Sequence, residues 1–515
     1  MNHSPINHWQ LVPRIALIFL LLLWSAYLSL VNGIMEPIDG WTLVLVTKVL
    51  IEVIASVFAI FYLFVALHYR TPAQTSETTE LIREKSGTLM IPKRIGIIYL
   101  CCNDLDKDAV ESILSCKYDH LVKLIVHDDS SDNESISEIN RFVEEMRQRY
   151  DIEIILMRRS IKNGGKPGAL NNIFATYHKE FDYFFICDSD SYIIDREFLN
   201  KSLCHFSDPN VALVQLRNIG ITKKEDSVWY KLLSLSIDYY DTFTSFLSKF
   251  GWTPFLGHNA LIKSEVIEKV GWFSPDQFAD DIDYSVKLYL NGYRIVYARD
   301  VVCAEKHPET YRALRKRTHK WSLGCTQILR KWSWSIVWSD KVTFNEKVTF
   351  FLTVGYYPLQ TLLFLYLFIF YLILPFNDRI HTNWVVLGIY AIFILFFTFF
   401  PSFTFFLRNR KVRDWFKVAP LWGLIYGSQD FVVAKALFSY VLRPAQKRIW
   451  EPTNSSLSRN KEMNLLGILE IIFGLCIVLV PALINPILIM LPTTILFSVK
   501  FICIPVLHQF FQKRA

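Results

Sequence analysis

Phe184-Phe-Ile-Cys-Asp188-Ser189-Asp190 decides the reading of this chain. A short apolar run, opening at Tyr183, ends abruptly in two carboxylates one residue apart. A fully buried strand reads in this way, and its last residues stand at the rim of a sheet. Upstream, short apolar runs alternate with amphipathic ones. Ile95-Gly-Ile-Ile-Tyr-Leu-Cys, Leu121 to His127 and Ile152 to Met157 read as strands. Asp108 to Ser115, Ser135 to Tyr150 and Gly168 to Lys179 read as helices. This rhythm predicts an α/β domain from residue 93 to about 335, built on a mostly parallel, doubly wound sheet. Ligands of such sheets sit beyond the carboxyl ends of the strands.

The residue types at those ends set the chemistry. Asp188 and Asp190 suit a hard divalent cation, Mg2+ or Mn2+, whose shell substrate phosphates and water complete. Asp128-Asp129 also follow a strand, where carboxylates can accept from a nucleobase or ribose; a polar turn is the plainer account. Lys162-Asn-Gly-Gly165-Lys166-Pro-Gly168-Ala-Leu-Asn171 puts glycines and lysines before a helix, as a phosphate site or a flexible basic loop. Ala279-Asp280-Asp281-Ile-Asp283 opens a helix that stops at Asn291-Gly292. Acids in a first helical turn complement the helix dipole, and one of them could instead be a general base. Arg317-Thr-His-Lys320-Trp321 is basic with an aromatic, as in a helix lying beside anionic lipid.

Outside this stretch the composition changes. Of 515 residues, 52% are hydrophobic, with 40 Phe and 14 Trp, and the apolar mass gathers at both ends. Residues 1–70 predict a hairpin of two membrane spans, Ile15 to Val31 and Leu43 to Leu67, followed by a linker at 71–92. Residues 336–515 predict four more, Val348 to Pro375, Trp384 to Leu407, Leu465 to Ile484 and Ile487 to Leu507, each near the roughly 20 residues a crossing needs. An interfacial segment at 409–445 separates the two pairs. The basic run from Arg408 assigns that end, and the α/β domain, to the cytoplasmic side. The net charge of +7 lies largely in such loops, and no nucleic-acid partner is expected. The nine cysteines form no metal-ligand spacing and read as free thiols.

Taken in order and spacing, the five motifs resemble the membrane-bound branch of the family 2 inverting glycosyltransferases, with the cellulose, chitin and hyaluronan synthases. The resemblance implies a GT-A (nucleotide-diphospho-sugar transferase) fold framed by transmembrane helices. It implies that Asp128 and Asp129 contact the nucleoside of a UDP-sugar, with Gly165, Lys166, Gly168 and Asn171 nearby. It further implies that Asp188 and Asp190 hold the metal and diphosphate, and that Asp281 is the base. Asp280, Arg317, Lys320 and Trp321 fall on the acceptor and diphosphate side, with Gly257-His258-Asn259 in the place of an acceptor loop. The implied activity is processive polymerisation into a β-linked polysaccharide, coupled to export across the bilayer, with an export or accessory subunit as a further partner. The compact layout suggests a bacterial plasma (inner) membrane. Two departures stand out. Ala279-Asp280 replaces Thr-Glu of the family's base motif, and Arg317 and Lys320 replace the Gln and Arg of its processivity motif. The alternative is a non-processive transferase adding one sugar to a polyprenyl phosphate or other lipid.

Overall fold

A computed structural model describes residues 92–221, 227–373, 412–442, 460–484 and 492–504, with Phe61, Val65, Phe376 and Leu507. The chain divides into two compact units. One comprises Thr71–Gly355 with Ala436–Ser456; the other comprises Met1–Arg70, Tyr356–Lys435 and Leu457–Ala515.

The first unit is built on an eight-stranded mixed sheet. Its strands are β1 (Arg94–Cys101), β2 (Leu121–Asp128), β3 (Glu153–Met157), β4 (Tyr183–Cys187), β5 (Ser191–Ile193), β6 (Val211–Ile221), β7 (Ala260–Lys263) and β8 (Arg294–Lys306), in the order β3-β2-β1-β4-β7-β6-β8-β5. The first four run parallel, as the βαβ rhythm predicts. Beyond β4 the sheet is mixed, because β7 enters antiparallel between β4 and β6. Ile95, Ile97, Ile98 and Tyr99 of β1 are at most 1% exposed, so the central strand is covered on both faces and needs no polar alternation.

The helices that follow the strands are α1 (Lys107–Leu114), α2 (Asn133–Arg149) and α3 (Gly165–Tyr177). Asp106 and Asp132 cap the first two, each accepting from a backbone N–H three residues on. Later come α4 (Phe198–Leu203), α5 (Val228–Phe250), α6 (Ser264–Val270), α7 (Asp280–Leu290), α8 (Tyr311–Trp338) and α9 (Phe344–Val354). The order reverses at β1, with β2 and β3 on one side and β4 on the other. That crevice is where a ligand is expected, and Asp128 and Asp188 stand on its two sides.

The second unit contains α10 (Tyr356–Phe368), α11 (Val412–Gly427), the start of α12 (Asp430–Leu442) as far as Lys435, α13 (Asn460–Ile484) and α14 (Pro492–Ile502). The span expected at Val348 to Pro375 is instead divided at Gly355, with α9 in the sheet-bearing unit and α10 in the other. A capping box of Thr343 and Glu346 starts α9 as a separate helix. Within the segment expected as interfacial at 409–445, the described residues 412–442 form two helices broken at Ser428-Gln429. Among the described residues, one helix, Gly467–Ile484, is long and apolar enough to cross a membrane. The spans expected before residue 70 and at Trp384 to Leu407 lie outside the described residues.

Candidate active site

Sheet register builds the site. His127 pairs with Met157 across β2 and β3, so the next residues, Asp128 and Asp129, come level with Arg158 and Arg159. Arg158 Nε donates to Asp128 at 2.6 Å. Arg159 grips both oxygens of Asp129, with Nε at 3.0 and 3.1 Å. The two acids read as nucleoside contacts are therefore charge-paired within the protein, and Asp128 also accepts from Ser130 N–H at 2.8 Å. Neither arginine stood out in the sequence. The signal was there in the pair of cations directly after a strand neighbouring the acidic one.

Arg159 also organises the glycine loop, donating to the carbonyls of Asn163 (2.7 Å) and Gly165 (3.0 Å). Gly164 and Gly165 have φ of 69° and 54°, which glycine adopts without a Cβ penalty. Lys166 thus sits in the first turn of α3, bonded to Asp188. Burial alone would lower the Lys166 ammonium, but Asp188, Asp280 and Asp281 outweigh it and raise it. Asn171 forms a reciprocal pair with the backbone of Phe273, at 2.9 and 3.0 Å, and ties α3 to the segment leading into α7.

Asp188 and Asp190 follow β4. Burial works against the Asp188 carboxylate, but Lys166, His258 and Lys320 hold it below the usual range. Asp190 behaves oppositely: burial, with Glu305 and Asp188 close by, pushes it up to about 7. The β4–β7 register pairs Ile186 with Ala260 and so brings His258 beside Asp188. His258 Nδ1 lies 3.6 Å from Asp188 Oδ2, and Nε2 lies 2.7 Å from Glu305 Oε2. Burial would lower the imidazole, but the bond to Glu305 and the nearby acids hold it at about 9. Asn259, at φ 51° and fully buried, donates Nδ2–H to Asn218 (2.9 Å). Sequence reading found His258 and Asn259 but missed Glu305 and Asn218, which reach the site only through the pairing of β5, β6 and β8.

Asp280 and Asp281 open α7. Burial and the Asp280 charge push Asp281 up to about 6. Gly257, at φ 92°, faces it so closely that a Cβ there would lie 3.1 Å from Asp281 Oδ2. The third acid, Asp283, is wholly buried and bonded to Lys331 (2.8 Å), Trp332 (2.7 Å) and Ser274 (2.7 Å), which makes it a structural tie. Arg317 lies 4.7 Å over the ring of Trp321, which is 45% exposed. Lys320 is exposed on the same helix, α8, and its charge reaches both Asp188 and Asp281.

Among the described residues no group of three His, Cys, Asp or Glu side chains has the arrangement of a complete metal cage. The acids present nevertheless fit a cation of the Mg2+ or Mn2+ kind, which needs only one or two carboxylates when phosphate completes its shell. The raised Asp190, crowded by Asp188 and Glu305, marks an excess of negative charge that a cation would relieve.

A parallel βαβ half with acids at two strand ends is joined to a mixed half that supplies a third acid pair. Residues 183–402 match the family model described as Glycosyl transferase family group 2, and that segment holds Asp188, Asp190, His258, Asp281, Glu305 and Arg317 to Trp321. Glucomannan 4-beta-mannosyltransferase 2 of Arabidopsis thaliana is 29% identical over 231 residues. That match covers 44% of this chain, and the chain spans 42% of that relative's length. Among solved structures, the mannosyltransferase PcManGT of Pyrobaculum calidifontis, in complex with GDP-Man and Mn2+, is 17% identical, with 76% of this chain and 99% of that one covered at a TM-score of 0.49. TarS 1–349 of S. aureus, in complex with UDP, is 14% identical, with 70% and 94% covered at a TM-score of 0.34.

Proposed function

We propose that the protein is a metal-dependent, inverting, membrane-associated glycosyltransferase that moves a hexose from a nucleoside-diphosphate donor onto a growing β-linked glycan. The observation that carries this reading is the convergence of Asp188, Lys166 and Asp281 in one crevice: Lys166 bonds Asp188 and feels the charges of Asp280 and Asp281. Metal acid, phosphate cation and base come there from three separate elements.

A divalent cation held by Asp188 and Asp190 would offset the charge of the departing diphosphate. Lys166 lies at an α-helix N-terminus, where anionic oxygen is favoured, and Lys320 adds positive charge from the other side. Electrostatic stabilisation of this kind is commonly the largest catalytic term. Asp281 takes the proton of the acceptor hydroxyl as its oxygen bonds to the anomeric carbon and the bond to diphosphate breaks. A single displacement inverts that carbon. A carboxyl held at about 6 is ionised at neutral pH yet basic enough for this work. Trp321 offers an exposed ring on which an acceptor sugar can stack.

The donor class follows from the family resemblance, which favours a UDP-sugar, and from the named plant relative, which favours a mannosyl unit. Processive synthesis and export are the reading of the basic aromatic motif together with the apolar helix Gly467–Ile484, and the basic run from Arg408 puts the catalytic unit on the cytoplasmic side. The changes at Arg317 and Lys320 favour the one-sugar lipid transferase as the second reading. The test uses full-length protein in nanodiscs with Mg2+ or Mn2+, a panel of UDP-hexoses and GDP-mannose, nucleotide release, and product sizing. A long polymer supports the first reading and a single sugar on lipid the second. Metal-independent inertness toward every donor would overturn both.

A further inference from the structure

Resting on the transferase reading, one relationship goes beyond it. His258 stands between acids carried by different strands: Asp188, which follows β4, and Glu305 on β8. Its Nε2 is committed to Glu305 at 2.7 Å, with the Asn218 amide at 3.2 Å. Among the described residues its Nδ1 makes no hydrogen bond, and Asp188 Oδ2 is 3.6 Å away.

The ring is also held from its own backbone. Gln215 Nε2 donates to the carbonyls of His258 (2.9 Å) and Asn259 (3.1 Å), and Gln215 Oε1 accepts from Leu256 N–H (2.8 Å). Asn259 N–H donates to the Ile186 carbonyl at 2.7 Å. Asn259 adopts φ 51°, and its buried Oδ1 has no hydrogen-bond partner. Asparagine tolerates this left-handed conformation better than most non-glycine residues.

We propose that His258 binds a hydroxyl of the hexose carried by the donor, and that Glu305 is the positioning residue that aims its ring. The geometry selects the ligand chemistry. Nε2 is turned to Glu305, so Nδ1 is the ring atom left to meet a ligand, with Asp188 of the metal-binding pair beside it. A hydroxyl both accepts and donates, so it can pair with Nδ1 whether or not that nitrogen carries a proton. An ionised phosphate oxygen only accepts, so it can pair with Nδ1 only when the ring is charged. The pair therefore reads the sugar, while Lys166 and Lys320 serve the diphosphate.

The test is binding and turnover of the full-length chain in nanodiscs. The probes are the best UDP-hexose or GDP-mannose of the panel, its monodeoxy analogues, and the free nucleoside diphosphate. Wild type is expected to lose about a hundredfold or more in kcat/KM for one deoxy position, as sites built to bond a hydroxyl do. His258→Ala should abolish that discrimination and remove the affinity gained from the sugar, while free nucleoside diphosphate binds within about threefold of wild type, a factor worth under 1 kcal/mol. Glu305→Gln should weaken the same discrimination and Glu305→Asp should restore part of it, which a merely structural role would not do. Full discrimination retained in His258→Ala, or equal loss of nucleoside diphosphate and nucleotide-sugar binding, overturns the proposal. Binding of the sugar donor without turnover in wild type would instead count against the transferase reading, and the deoxy series could still be read by affinity.

Discussion

Gly324 of α8 lies directly against Ala279, the residue before the paired acids: a Cβ on Gly324 would stand 2.6 Å from the Ala279 Cβ and 2.8 Å from its backbone nitrogen. Gln327, one turn further on, accepts from Phe278 N–H at 2.9 Å. The helix that carries Arg317, Lys320 and Trp321 thus also sets the height of the turn that carries Asp280 and Asp281.

Substituting Gly324 should therefore act on catalysis. Gly324→Ala forces either α8 or the Asp280-Asp281 turn to move, and overpacking of this kind typically costs about 1–3 kcal/mol. A displacement of the base by an ångström can lower turnover about a hundredfold. The expected result is a fall in kcat with nucleoside-diphosphate affinity unchanged, partly reversed by adding Ala279→Gly. Steady-state kinetics with nucleotide titration checks it; a KM effect alone would contradict the coupling.

Asp281 gives a prediction in pH. Its carboxyl is held at about 6 by burial and by Asp280, so it is ionised above that value and protonated below. A base must be ionised to accept a proton, so kcat/KM should fall as pH drops through about 6. Asp281→Asn should remove about 10²–10⁴-fold of the rate, typical of general-base help, and leave donor binding in place. A pH-rate profile with unaltered acid limb in the surviving activity of Asp281→Asn would reassign the base.

Much of this was legible in the chain. The strand-end positions of Asp128, Asp188 and Asp190, and the helical start at Asp280, follow from local apolar periodicity that three-dimensional packing did not override. Arg158, Asn218 and Glu305 were not legible. Their roles depend on which strands become neighbours, and a mixed sheet order such as β7-β6-β8-β5 has no local signature. The division at Gly355 was missed for a different reason. The apolar text runs on from Val348, but Gly355, followed by Pro358, carries the ordinary signal of a helix end.

Arg159 is expected to be the stability-critical residue of the nucleotide side. Its side chain is 7% exposed, forks onto Asp129, and holds the carbonyls of Asn163 and Gly165. Arg159→Ala would leave the largely enclosed Asp129 without its guanidinium partner, and breaking a buried pair costs about 3–5 kcal/mol. Arg159→Lys keeps the charge but loses the planar fork, so it should recover only part of that. Thermal unfolding of the purified variants measures the loss, and a shift no larger than for Arg94, whose pair with Asp182 is exposed, would refute the assignment.

The His258–Glu305 pair makes stability itself depend on pH. Burial alone would lower the imidazole, but Glu305 and Asp188 raise it to about 9, above the value of about 6.5 for an unfolded histidine. The folded state therefore binds this proton more tightly than the unfolded chain. Its contribution is fully present below about 6.5 and is lost as pH rises through about 9. In chelator-treated protein the thermal midpoint should decline across that window. Glu305→Gln removes the carboxylate that raises the imidazole most, so it should lower the midpoint at the acid end and flatten the decline. A Glu305→Gln variant that keeps the wild-type slope would show that another group titrates there and that the pair holds no excess proton.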